Sequence, residues 1–203
     1  MDQTTFNTKQ KILHSTLNII EKEGFDRITV RKIAAKAEIN AALINYHFGS
    51  KENLISQAID VILGDARKAF EHLDNTDIEP AERLKKFLQH YAKVGMENPE
   101  ALREVVLKGS FDYDSQKDYI YFIKTSGLRK VVDTVGEMTG ICDMATLMMI
   151  TLQLFGSMLI PIIMKPVIGN VLDFDIASLE RTDAYFDILL GRYGAARKEE
   201  DSI

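Results

Sequence analysis

The sequence is poor in residues that cross-link a chain or interrupt a helix. It contains one cysteine, no tryptophan and four prolines in 203 residues. A lone Cys142 cannot form an intramolecular disulfide, and one cysteine with four scattered histidines offers no set of zinc ligands. The sequence therefore excludes a disulfide scaffold and a zinc domain, and we expect neither a metal nor a cofactor.

Export and membrane insertion are also disfavoured by what the sequence lacks. Its first residues, Met1–Thr4, are polar, and no basic and apolar signal follows them, so we expect a cytoplasmic protein. The longest apolar run, residues 145–163, approaches the length of a membrane span, but polar residues and Pro161 interrupt it. A helix buried on most sides within a soluble protein is the preferred interpretation.

The pattern of apolar residues predicts an all-α protein. Apolar residues make up 46% of the sequence, which is enough for a core, and they recur at spacings of three and four. We expect a helix-turn-helix domain over residues 1–51 and an effector-binding and dimerisation domain over 52–203. The predicted helices start near Thr8 and Ser50 or cover the ranges 29–37, 40–47, 80–97, 99–107, 116–138, 143–164 and 175–193.

The formal net charge of −5 is unevenly distributed. Residues 1–51 contain eight basic and five acidic residues, a net charge of +3, which leaves −8 on the rest of the chain. The acidic total therefore does not exclude a nucleic-acid partner, because the N-terminal segment has the positive charge that phosphates attract.

Two short helices joined by a tight turn, residues 29–37 and 40–47, have the dimensions of a helix-turn-helix motif. In that motif the second helix enters the major groove of DNA, which is wide enough for one helix. Ile33, Ile44 and Phe48 are expected to face inward. The residues left on the outer face of the second helix are Ala41, Ala42, Asn45 and Tyr46.

Residues 29–54, TVRKIAAKAEINAALINYHFGSKENL, resemble the N-terminal domain of the tetracycline-repressor (TetR-like) family of bacterial transcriptional regulators. The most specific part is NYHFGSKENL, preceded by TVRKIA. The resemblance is specific over residues 8–63, whereas the rest of the chain is similar only in size and helix pattern.

The resemblance implies a homodimer with two DNA-binding heads and a double-stranded operator. It places Thr29, Tyr46 and Lys51 at phosphates, and Arg31 near bases together with the outer face of the second helix. It places His47 at the edge of the DNA backbone. The full expected DNA-binding set is Thr29, Arg31, Lys32, Asn40, Ala41, Ala42, Asn45, Tyr46, His47 and Lys51.

Two residues depart from the family pattern. Position 38, usually glycine in the turn, is Glu38, which is strained by about 1 kcal/mol if the backbone has a positive φ there. Position 41, often lysine or another polar residue, is Ala41, so the second helix has no lysine or arginine. We therefore expect strong salt dependence and modest base specificity in each half-site.

The resemblance also implies that the last two long helices, 143–164 and 175–193, form the dimer interface. This role explains a helix that is apolar on all sides. A small hydrophobic or aromatic effector is expected in the C-terminal domain, and Gln153 is expected to be buried there. The candidate effector-binding residues are Phe87, Tyr91, Phe111, Phe122, Met149 and Gln153.

Two other function classes are an enzyme and a binding protein that does not recognise DNA. The sequence contains no G-x-S-x-G, Walker A, H-E-x-x-H or G-x-G-x-x-G motif, so it is not expected to be an enzyme. The alternative is a helical homodimer that binds a small molecule or a protein partner without sequence-specific DNA binding. Repression, with release from DNA on effector binding, is adopted as the family's usual mode.

Overall fold

The computed structural model describes residues 3–108, 113–172 and 179–200, and within these ranges every regular element is helical. The all-α class is therefore confirmed. The α-helices are α1 (Gln3–Glu23), α2 (Val30–Ala37), α3 (Ala41–Phe48), α4 (Lys51–Ala69), α5 (Pro80–Glu97), α6 (Pro99–Lys108), α7 (Asp114–Phe122), α8 (Leu128–Thr139), α9 (Met144–Ile163), α10 (Lys165–Leu172) and α11 (Leu179–Glu200).

The chain forms two compact units, each built from two segments. The first comprises residues 1–64 and 98–120, and the second comprises residues 65–97 and 121–203. The predicted boundary between residues 51 and 52 is a boundary of function, and it remains a prediction. The compact units divide the chain at other positions.

The first unit has a core of branched apolar side chains from α1 to α4. Ile12, Ile33, Ile44 and Leu54, one from each helix, are all fully buried. Burying such side chains stabilises the unit by about 1.5–3 kcal/mol each. Helix α1 starts at Gln3 rather than near Thr8, so the predicted start was too late.

The turn between α2 and α3 depends on one residue in a left-handed conformation. Glu38 has φ 54° and ψ 47°, and it is the one non-glycine residue with positive φ in the described part of the chain. Its N–H donates to the carbonyls of Ala34 and Ala35, which ends α2. The strained backbone expected at this position is thus present.

The second unit contains a helix interruption that the sequence pattern did not predict. The expected helix 116–138 is α7 and α8 joined by a π-helical segment, Ile123–Gly127. A Cβ at Gly127 would lie 3.0 Å from Cε1 of Phe70 and 3.1 Å from Cε1 of Phe122. Gly127 therefore lets both rings lie closer to the helix backbone than a residue with a side chain would, unless the rings shifted.

A buried arginine holds together the start of the second unit. Nη1 of Arg83, on α5, donates to the carbonyl of Leu73 at 3.1 Å, and Nη2 forms an ion pair with Glu137 on α8. Lys130 on α8 pairs with Asp74. These bonds fix the short 3₁₀ segment Phe70–Asp74, which follows α4, against α5 and α8.

Helix α9 has both a buried and an exposed apolar side, as expected for a helix between a core and a partner. Leu154 and Met158 are buried, whereas Leu152 is 73% exposed and Met149 is 57% exposed. In the described residues it is the one helix long and apolar enough to cross a membrane, and a third of its apolar window is buried.

Two prolines lie near the end of α9, at positions 161 and 166. Pro161 lies inside the helix, and the helix ends at Ile163 before Pro166 is reached. Pro166 is instead the second residue of α10, a position in the first turn that tolerates a missing N–H. The separate helix α10 was not predicted.

Replacing Glu38 with glycine is expected to stabilise the protein by about 0.5–1 kcal/mol, because glycine adopts the left-handed region without steric strain. Loss of the Glu38 carboxylate should cost little, since its ion pair with Lys11 is long, at 3.7 Å, and exposed. The free energy of unfolding in denaturant measures the effect. Glu38→Ala is the control, and equal stability of the two variants would contradict this explanation.

Candidate nucleic-acid interface and effector site

Three short polar side chains define the helix starts of the candidate DNA-binding surface. The hydroxyl of Thr29 accepts from the N–H of Lys32 at 3.2 Å and caps α2. Ser50 accepts from the N–H of Asn53 at 3.1 Å and caps α4. The starts of α2 and α4 therefore present amide groups and the positive ends of helix dipoles, which attract phosphate.

Asn40 has a structural role that limits its use at DNA. Its Oδ1 accepts from the N–H of Ala42 at 2.9 Å and so caps α3. Asn40 was predicted as a DNA-binding residue, but its side-chain oxygen already accepts a hydrogen bond from the protein backbone. Its contact with DNA remains a prediction.

The recognition helix α3 presents the outer face that the sequence predicted. Ile44 and Phe48 are buried, at 0% and 2% exposure, whereas the Tyr46 side chain is 79% exposed. Ala41, Ala42 and Asn45 are exposed as well. The buried pair fixes the rotation of α3 about its axis, and this rotation determines which side chains can meet a groove.

Contacts around Phe48 hold the end of α3 in place. The side-chain amide of Asn53 donates to the Phe48 carbonyl at 2.7 Å, which joins α3 to α4. The ammonium group of Lys9 on α1 lies 5.5 Å from the centroid of the Phe48 ring. His47 is half-buried, with its ring edge-on to those of Tyr46 and Phe48.

Some basic residues of the candidate surface form ion pairs with acidic side chains, and others do not. Lys32 forms an ion pair with Glu23, and this hydrogen bond, with the charges of Lys36 and Arg27, lowers the pKa of Glu23. Lys51 pairs with the adjacent Glu52 at 3.8 Å. Arg31 and Lys36 form no ion pair with any described residue.

Part of the predicted effector site comes together in the second unit. Phe87, Tyr91 and Phe122 join Phe70 and Phe155 in what we call the aromatic cluster. Ring centroids are 4.8 Å apart for Phe70 and Phe87 and 5.1 Å apart for Phe70 and Phe122. Phe87 is fully buried, whereas Tyr91 and Phe122 retain some exposure.

The other predicted effector residues lie elsewhere. Met149 is exposed, and Gln153 is exposed rather than buried, with its Oε1 accepting from the Tyr193 hydroxyl at 2.7 Å. The expectation of a buried Gln153 was therefore wrong, because this face of α9 points away from the core. Phe111 lies outside the described residues.

Sequence reasoning missed two members of the aromatic cluster. Phe70 lies at the end of the apolar pattern of α4, immediately after Ala69, where the chain changes to a 3₁₀ turn. Phe155 lies on the apolar helix α9, where every face appears suitable for burial. Neither residue differs from an ordinary core residue by its spacing.

A separate groove of about 730 Å³ in the second unit has charged and polar residues among its lining, although most of its surface is apolar. His72 and His90 meet there, with Nε2 of His72 3.2 Å from Nδ1 of His90. Burial, together with the positive surroundings of His90 and Lys86, lowers the pKa of His72. Among the predicted effector residues that the structure describes, none lines this groove.

Comparison with known families supports the assignment of the N-terminal segment. Residues 12–58 match the family model described as "Bacterial regulatory proteins, tetR family". The match covers α2, α3 and the facing parts of α1 and α4, and it includes the exposed face of the recognition helix.

Individual relatives and a solved structure extend the similarity. The uncharacterised regulator YvkB of Bacillus subtilis is 23% identical over 64% of this chain and 73% of its own length. The transcriptional repressor NicS of Pseudomonas putida is 26% identical over 48% of this chain and 46% of its own. A TetR family regulator from Marinobacter aquaeolei superposes with a TM-score of 0.68 at 18% identity, covering 94% of this chain and 97% of that one.

With other curated relatives, the match spans only 27% to 31% of their length. The fold and the exposed α3 face are those of a helix-turn-helix domain. Residues 12–58 are thus similar to the DNA-binding segment of TetR family regulators, and the helical fold of the chain as a whole is similar to that of solved TetR family structures.

Lys51 and Lys32 differ in how closely an acidic side chain pairs with them, and this predicts unequal contributions to DNA binding. Lys51→Ala should reduce the slope of log affinity against log salt by about 0.9, as expected for one lost phosphate contact. Lys32→Ala should reduce it by clearly less, because Glu23 already neutralises Lys32. Fluorescence anisotropy with duplex DNA over a salt series measures both slopes. A larger change for Lys32→Ala would contradict this assignment.

Proposed function

We propose that the protein is a homodimeric repressor that binds a double-stranded operator and is released from it by a small hydrophobic or aromatic effector. The observation that carries this proposal is the exposed face of α3, displayed beside two capped helix starts. One relative, NicS, is a transcriptional repressor, which supports repression as the mode.

The proposed DNA contacts divide into two kinds. Thr29, Tyr46 and Lys51 would bind phosphates and set the position of the head, with His47 at the backbone edge. Arg31 and the outer face of α3 would approach the bases. The net charge of +3 on residues 1–51 supports an approach by the head, while the acidic remainder favours contact through the heads alone.

The proposed dimer interface consists of the exposed apolar faces of α9 and α11. These helices are joined within one chain, since the Tyr185 hydroxyl donates to the Ser157 carbonyl at 2.5 Å and Tyr193 bonds to Gln153. Leu152 on α9 is 73% exposed and Ile188 on α11 is 63% exposed. A second copy of the chain would cover this surface by pairing the same two helices.

The proposed effector site is the aromatic cluster. An aromatic ligand could insert beside Tyr91 and Phe122, the two predicted members that are not fully buried. Phe70 belongs to the cluster and directly follows α4, the helix that begins at Lys51 after the recognition helix. An effector that displaces Phe70 would therefore bias the conformation of α4, which gives a two-state route from the ligand to the head.

A soluble regulator of this kind would act in the cytoplasm, where its operator is. The apolar helix α9 is accounted for by its buried side and by the proposed partner. We therefore propose a cytoplasmic location.

Selection of bound sites from random duplex DNA tests DNA recognition. The protein should enrich a site with two related halves whose centres lie about 34–36 Å apart. Tyr46→Ala should abolish enrichment, because it removes the largest exposed side chain of α3, while Tyr121→Ala, which removes an exposed tyrosine of the second unit, should not.

The oligomeric state of the wild type and of both variants is measured in parallel by size-exclusion chromatography with light scattering. Wild type and both variants should have the mass of a dimer, so that lost binding is not lost assembly. A monomer at micromolar concentration would contradict the proposed interface, and enrichment by Tyr46→Ala equal to that of wild type would contradict the proposed DNA surface.

The effector site is tested by releasing labelled operator with a panel of aromatic compounds. For a compound that releases wild type, Tyr91→Ala should raise the required concentration about ten-fold, because an aromatic contact contributes about 0.5–1.5 kcal/mol beyond the buried area. Tyr121→Ala should leave that concentration unchanged. Identical release of both variants would exclude the aromatic cluster as the site.

A further inference from the structure

We propose that α3 selects A·T base pairs, with Asn45 binding an adenine and the methyl groups of Ala41 and Ala42 contacting thymine methyls. The inference rests on the proposed DNA binding and specifies the chemistry of the operator. It concerns the base pairs that face α3, and it leaves open those that Arg31 on α2 approaches.

The recognition helix lacks the side chains that select guanine best. Arginine or lysine bonded to O6 and N7 of guanine is the commonest specific contact in the major groove. Between Asn40 and Phe48 there is no arginine or lysine, and no aspartate or glutamate that could accept from the amino group of cytosine. Both bases of a G·C pair therefore lack their characteristic partners on this helix.

Asn45 has the functional group that adenine requires. A side-chain amide can accept from N6 of adenine while it donates to N7, in a paired geometry that no other base pair matches as well. Asn45 is exposed, and its side chain makes no hydrogen bond with the described residues. The other asparagine of this segment, Asn40, has its carbonyl engaged at the N–H of Ala42. Asn45 is thus the amide available for the bidentate contact.

Ala41 and Ala42 place two exposed methyl groups in the first turn of α3. Residues at the start of a recognition helix contact base edges directly, and short side chains allow its backbone to approach them closely. The methyl group of thymine is the one apolar group that the four bases present in the major groove. Contact between these methyl groups would favour thymine without any hydrogen bond.

Base analogues in the selected operator test each contact separately. Deoxyuridine in place of thymidine removes only the methyl group, and 7-deazaadenine in place of adenine removes only the N7 acceptor. We expect at least one position of each type in each half-site where the substitution weakens binding several-fold. The same substitutions in the flanking DNA should have no effect.

Variants of Asn45 connect the adenine contact to this residue. Asn45→Ala should weaken binding to the natural site about ten-fold and should bind natural and 7-deazaadenine operators equally. Asn45→Gln, which retains the amide, should keep a preference for adenine. Thermal unfolding of both variants checks that the exposed substitution leaves the fold intact.

The outcomes separate this inference from the proposed function. A selected operator whose α3-facing positions are G·C pairs, or are insensitive to both analogues, would overturn the A·T assignment and leave DNA binding established. An Asn45→Ala variant still sensitive to 7-deazaadenine would overturn the role of Asn45. Failure of wild type to enrich any site would overturn the proposed function itself, and the A·T assignment with it.

Discussion

The packing of α2 and α3 onto α1 and α4 is the constraint on which the DNA-binding surface depends. Ile33, Ile44 and Phe48 are buried together, and this burial fixes the rotation of both short helices. A helix of eight residues has little stability of its own. The entropy lost in forming its first turn offsets most of the free energy that its few hydrogen bonds contribute. Tertiary packing therefore both stabilises α3 and determines that the small residues and Asn45 face outward.

The sequence predicted the first unit better than the second, for reasons visible in individual residues. Thr29, Asn40 and Ser50 act as caps, and capping is local chemistry that a sequence displays directly. The π-helical segment before Leu128 instead ends at Gly127, which lies against the ring of Phe70, a residue 57 positions earlier in the sequence. The spacing of apolar residues along the sequence does not indicate such a contact.

The same distinction explains the outcome for the effector residues. Phe87 and Tyr91 were both predicted as effector-binding residues, and the structure places them together because they are one turn of α5 apart. Gln153 was expected inside only because its neighbours on α9 are apolar. A helix that is apolar on all sides has no pattern to distinguish its core face, so the exposure of Gln153 could be learned only from the fold.

The ion pair between Lys32 and Glu23 links the charge of the proposed DNA-binding surface to the protonation of Glu23. Lys32 lowers the pKa of Glu23 in the free protein. If Lys32 turns to a DNA phosphate, Glu23 loses that partner and its pKa rises toward the ordinary value. The complex then holds more protons than the free protein at pH values between the lowered pKa and the ordinary value of 4.5, so affinity increases as the pH falls through this acidic range. The pair would thus make DNA binding sensitive to acidity without a histidine.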